Sequence, residues 1–96
     1  MAIVVVFDFP GEPVSKYHKV FELGGAAIND QPARLDHVCY VVDDGFTVVD
    51  VWESEHSFQA FGPTIGPALA GAGLDAKPRV YKVEATMGAD GKRVTY

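Results

Sequence analysis

His37, Cys39, Asp50 and the only tryptophan, Trp52, stand at alternate positions in two β-rich runs separated by a short turn. Those types suit proton transfer: an imidazole exchanges protons near neutrality, a carboxylate orients it, and an indole offers a flat apolar wall. If the two runs pair, all four side chains leave the same face of a sheet, with opposed Cβ atoms about 5 Å apart. The expected acid/base pair is His37 with Asp50. A Cys39 nucleophile needs a thiolate and an oxyanion pocket, and no motif here supplies either. His37, Cys39 and Asp50 are also of metal-ligating type, but they follow no recognised ligand spacing, so neither metal nor cofactor is expected. The plain alternative is structural, with Trp52 as core, Asp50 bonded to a nearby hydroxyl or amide, and His37 merely satisfied.

The elements that must position these residues begin with a β-hairpin. Residues 35–43 and 46–53 are rich in β-branched side chains and meet at Asp44-Gly45, a dipeptide suited to a two-residue type I′ turn. Counting outward places Val41, Cys39 and His37 with Phe46, Val48, Asp50 and Trp52 on one face. The other face carries Val38, Tyr40 and Val42 with Thr47, Val49 and Val51. The second set is mostly aliphatic and is expected under the helices. The first mixes apolar and polar groups and is expected to line a cavity closed by a second copy of the sheet. Trp52, Cys39, Phe46, Val48 and Val41 are then substrate-binding candidates, and His18 reaches the same region from the first helix.

The remaining elements follow from composition and period. Residues 1–9 read as a short strand buried on both faces, closed by Pro10-Gly11. Pro13 opens a helix whose apolar stripe runs through Val14, Tyr17, Val20, Phe21 and Leu23 to Gly24-Gly25. Residues 24–34 have no periodicity and read as a loop suited to act as a lid. Ser54 caps a second helix marked by Phe58, Phe61, Ile65, Leu69 and Ala72, which Pro63 and Pro67 are expected to split near residues 62–64. A last strand spans residues 78–84, and residues 85–96 form a polar tail.

The order β, α, β, β, α, β with a central hairpin is the ferredoxin-like α+β pattern: an antiparallel four-stranded sheet with two helices on one face. The domain is expected over residues 1–84, with 85–96 as the tail. One sheet face stays bare, and a twofold-related copy would cover it, giving a homodimer in which two sheets face each other around a site for a small hydrophobic molecule.

Composition narrows the setting. A net charge of −5 repels a phosphate backbone, so nucleic acid is not an expected partner. The longest apolar runs are too short to span a bilayer, so no membrane association is expected. A single cysteine excludes an internal disulfide and fits a reducing, cytoplasmic compartment. Lys77, Arg79, Lys82, Lys92 and Arg93 make the last fifth basic on an otherwise acidic chain. The glycines show no phosphate-cradling pattern.

The run VVDVWES at Val48 to Ser54, with Phe58, Phe61 and Gly66-Pro67-Ala68-Leu69 after it, resembles small proteins of the dimeric α/β barrel superfamily. The pattern is similar to that of the antibiotic biosynthesis monooxygenase family, over nearly the whole chain apart from the tail. The resemblance implies a homodimer with a cavity, between helices and sheet or inside the barrel, for aromatic, often polyketide-like substrates. It further implies oxidation by O2 with neither metal nor flavin. Trp52 matches the tryptophan of that family's third strand. The family's pocket asparagine has no counterpart, because the only asparagine, Asn29, lies in the 24–34 segment. Other superfamily members cyclise polyketides with His and Tyr side chains or degrade haem. A cyclase-like enzyme and a non-catalytic binding or accessory dimer therefore stand as alternatives.

Overall fold

The computed structural model describes residues 1–96. Its centre is strand β1 (Ile3–Pro10), in which Ile3, Val5, Phe7 and Phe9 are buried while the residues between them are more open. This alternation is the period of a strand with one covered face, not of one buried on both as its unbroken apolar run suggests. Strand β3 (Gly45–Trp52) pairs with it antiparallel over its whole length, setting Phe46 beside Phe9, Val48 beside Phe7, Asp50 beside Val5 and Trp52 beside Ile3. Strands β2 (Arg34–Val42) and β4 (Arg79–Lys82) complete an antiparallel sheet of order β2-β3-β1-β4. Helices α1 (Ser15–Gly24), α2 (Ala26–Asn29) and α3 (Glu55–Gly71) lie on one face of it. Their Val20, Ile28, Phe61 and Ala68 join the sheet's Ile3, Val5, Phe7, Phe9, Phe46, Val48 and Trp52 in a single core. This is the ferredoxin-like α+β fold, with the short α2 added.

Three sequence-based expectations are corrected here. The hairpin turn is Asp43-Asp44, because Val42 pairs with Gly45. Gly45 belongs instead to β3, where an added Cβ would stand 2.2 Å from the Phe9 carbonyl oxygen. The glycine permits close approach of β1 rather than a positive φ. The register moves by two residues, so each face keeps its members and His37 stands directly opposite Asp50.

The covered face is the second correction. The helices bury the set containing His37, Cys39, Phe46, Val48, Asp50 and Trp52, and leave bare the one containing Val38, Tyr40, Val42, Val49 and Val51. Strand β1 decides it, since its Phe7 and Phe9 add to Phe46 and Trp52 the apolar volume that a helix-packed core needs. Each such side chain, fully buried, is worth about 1.5–3 kcal/mol.

The third concerns helix breaking. Helix α3 runs unbroken for 17 residues through Pro63 and Pro67. Both prolines are exposed, so the carbonyls they leave without a donor can be solvated, and their spacing of four keeps the disturbance to one side. Ser54 caps the helix reciprocally with Ser57. The 24–34 segment also has more order than expected, since it contains α2.

The bare face continues through Val4 and Val6 of β1 and Tyr81 of β4. Its polar interruption is an ion pair, Arg79 to Asp8 at 2.7 Å, to which the Thr47 hydroxyl also donates at 3.0 Å. Residues 85–96 form a separate ribbon of strands β5 (Ala85–Met87) and β6 (Arg93–Thr95), whose ladder is extended by Tyr96 N–H donating to the Glu84 carbonyl.

Candidate active site

The antiparallel register brings His37 of β2 and Asp50 of β3 together on the helix-covered face. His37 Nδ1 lies 2.5 Å from Asp50 Oδ1. The Asp50 side chain is only 6% exposed and the His37 ring 27%, so the pair sits at the boundary of the core. An ionised carboxylate only accepts, so Nδ1 carries the hydrogen and, in the neutral ring, Nε2 is an acceptor.

That acceptor is occupied by Tyr17. Residues Tyr17, Val20 and Phe21 form the face of α1 that meets the sheet. The Tyr17 hydroxyl stands 2.7 Å from His37 Nε2 and donates to it. The Tyr17 ring lies nearly parallel to the imidazole at 5.9 Å, and Phe21 approaches it edge-on at 6.1 Å. The result is a hydrogen-bonded chain from Tyr17 through His37 to Asp50, with each polar atom on the path partnered. Burial, then charge at Cys39 and Asp50, pushes the Tyr17 phenol above its ordinary value, while the Arg34 guanidinium pulls it down. Tyr17 therefore rests as a neutral donor.

The chain forms part of the wall of a cavity between the sheet and the helices. Phe7, Phe9, Phe46 and Val48 line it from the sheet; Tyr17, Val20, Phe21, Ile28, Phe61, Ile65 and Leu69 line it from the helices. His37, Asp50 and Arg34 are the non-hydrophobic lining residues. Its volume is about 50 Å³, room for roughly three or four waters, whereas pockets for drug-sized ligands usually run to about 300–1,000 Å³.

Among the sequence-based candidates, His37, Asp50, Phe46 and Val48 line this cavity, and Trp52, Cys39, Val41 and His18 do not. Trp52 is fully buried against Phe58 and Phe61 as core. Cys39 is half-buried, and burial pushes its thiol up, away from the thiolate a nucleophile needs. Val41 is 67% exposed beside the hairpin turn. His18 is exposed, its ring edge-on to Tyr17. His37, Cys39 and Asp50 make no three-ligand metal cluster.

Two cavity residues that bear polar groups, Tyr17 and Arg34, are absent from the sequence-based candidates. Tyr17 had been visible only as part of the α1 apolar stripe, though a phenol in such a stripe needs a partner for its hydroxyl. Arg34 has even parity in β2 and by simple alternation belongs on the other face. A bulge at Leu35 restores it to the helix side, opposite Trp52. There the guanidinium lies 5.9 Å from the Trp52 ring centre and 5.8 Å from that of Phe61.

Solved structures share this architecture. SnoaB, a cofactor-independent oxygenase from Streptomyces nogalater, superposes with a TM-score of 0.62 at 19% identity, covering 88% of this chain and 93% of that one. A protein from Chloroflexus aurantiacus named for antibiotic biosynthesis monooxygenases gives 0.67 at 14% identity over 92% and 98% of the two chains. The heme-degrading protein Rv3592 from Mycobacterium tuberculosis gives 0.60 at 24% identity over 92% and 100%. At these identities the likeness is one of fold, and the chain has the fold of antibiotic biosynthesis monooxygenase-like proteins. No family model and no curated protein sequence matches it. No helix is long and apolar enough to cross a membrane.

Proposed function

We propose that this chain is a cofactor-independent enzyme of the monooxygenase type, acting on an aromatic or polyketide-like small molecule held between the sheet and the helices. The observation that carries this reading is the Tyr17–His37–Asp50 chain at the wall of an otherwise apolar cavity. The Tyr17 oxygen takes a proton from an activated C–H or O–H of the substrate while its own proton passes to His37 Nε2. Asp50 holds the resulting imidazolium. A substrate carbanion or phenolate formed this way is electron-rich enough to give electrons to dioxygen directly. Conversion of a methylene to a carbonyl balances as CH2 + O2 → C=O + H2O, with dioxygen the sole oxidant.

An aromatic substrate must widen the cavity, and the wall best placed to yield is α2. Its Ile28 plugs the cavity from a four-residue helix flanked by Gly25 and the segment before β2. A second copy of the chain covers the bare aliphatic face through Val6, Val38, Tyr40, Val49 and Tyr81. The 1–84 unit is the working domain, with the basic ribbon as an appendage. The lone free thiol fits a cytoplasmic setting.

The test is oxygen uptake on a panel of anthrones and naphthols, without added metal or flavin. We expect consumption that falls about 10²-fold or more in His37→Gln and Asp50→Asn with the fold retained. No uptake across the panel would overturn the oxygenase reading. The same proton relay also fits a cyclase, in which the substrate carbanion attacks an internal carbonyl. That outcome appears as product formation with no oxygen consumed.

A further inference from the structure

Arg34 stands apart from the other cations near the core. Its two terminal nitrogens donate to neutral backbone carbonyls, to Ile28 at 2.9 Å and to Asn29 at 3.2 Å. It joins none of the ion pairs, which link Lys16 to Glu12, Lys19 to Glu22, His37 to Asp50 and Arg79 to Asp8. It is nonetheless half-buried, lies over two aromatic rings, and lines the cavity that holds the proton relay. A guanidinium in an apolar cavity without a carboxylate partner is a fixed positive charge awaiting an anion.

Resting on the reading above, we propose that Arg34 is the counter-charge for the ionised substrate, so that the ligand class is an acidic phenol or enol bound as its oxyanion. The ionisable groups facing the cavity are Tyr17, Arg34, His37 and Asp50. In the resting site the Asp50 charge opposes that of Arg34. Once the ligand's proton has passed through Tyr17 to His37, the imidazolium cancels Asp50. Arg34 is then left facing the new oxyanion. The positions agree with the opposite effects of Arg34 and Asp50 on the Tyr17 phenol. The carbonyl contacts of Arg34 tie the same residue to α2, the segment that must shift to admit a ring. Recognition of the anion and opening of the cavity therefore meet at one side chain.

Two single-ring probes separate this inference from the reading it rests on. 4-Nitrophenol reports by absorbance whether its oxygen is protonated, and 4-nitroanisole is its methyl ether with no proton to lose. Binding of each is measured by calorimetry. An apolar cavity alone raises a bound phenol's pKa; an engaged cation lowers it. We expect bound 4-nitrophenol to ionise about one pH unit below its free value in the wild-type protein. In Arg34→Met the bound value should rise above the free one, while 4-nitroanisole affinity changes less than about twofold. Arg34→Lys should stay close to wild type, which also answers the objection that Arg34→Met disturbs α2. If 4-nitroanisole binds but the wild-type protein leaves the 4-nitrophenol pKa equal or raised, this inference is overturned and the cavity reading stands. If neither probe binds, both are overturned.

Discussion

The two faces of the sheet use similar amounts of β-branched residue for opposite purposes. On the covered face, aromatic side chains from β1 and β3 meet three helices, and the one polar cluster is internally satisfied from Tyr17 to Asp50. On the bare face, valines and two tyrosines surround a single ion pair, Arg79 with Asp8. The difference lies in where the carboxylate stands. Asp50 is nearly closed off from water and depends on its histidine, whereas Asp8 is about half exposed and water shares in its solvation. Burial makes the first pair chemically useful and expensive to break. Exposure makes the second worth little by itself.

The sharpest way to break this contrast is at Trp52, on the covered face. Trp52→Ala should cost about 3–5 kcal/mol in chemical denaturation, because the indole is wholly enclosed by core. Wild-type stability in that variant would place it on the open side. Next in size is the carboxylate pair: Asp50→Asn should lower turnover about 10²-fold, and Asp8→Asn should leave it within about twofold. Equal losses would remove the distinction between the faces.

On the bare face, Val38→Asp should alter the stability of the single chain by no more than about 0.5 kcal/mol. It should nevertheless reduce the scattering mass from about twice 10.3 kDa to that of one chain. A wild-type mass near one chain would refute the proposed homodimer directly. The smallest effect is alkaline. Tyr17 keeps its proton above the ordinary tyrosine value of about 10, so the native state binds more protons than the unfolded one in that range. Stability contributed there is complete below about pH 10 and is lost as pH rises through the raised value. Ultraviolet titration should show a late-ionising phenol in the native protein that is absent in urea and in Tyr17→Phe.

Alternation made the strand pairing legible in the sequence, and parity alone put His37 and Asp50 on one side. The side the helices would choose was not legible from the hairpin, because the deciding volume comes from Phe7 and Phe9 on β1. Asp44-Gly45 looked like a turn since no sequence pattern reveals that Gly45 must let the Phe9 carbonyl pass. Arg34 was hidden by the Leu35 bulge, one extra residue that reverses a side chain's direction. Tyr17 was hidden by its own apolar ring. Two of the relay's three residues thus followed from local period, and the third, supplied by α1, depended on how a helix settles over a sheet.

The enclosed Trp52 indole N–H has no hydrogen-bond acceptor within the protein. A donor left in that condition absorbs near 280 nm in a medium with almost no dipoles free to relax around its excited state. The protein therefore carries a built-in lamp at the blue end of indole emission, dark to iodide and to acrylamide. Its indole hydrogen is traded for deuterium only when the packing around it opens. A single resonance followed in heavy water then times the parting of α3 from the sheet at this point.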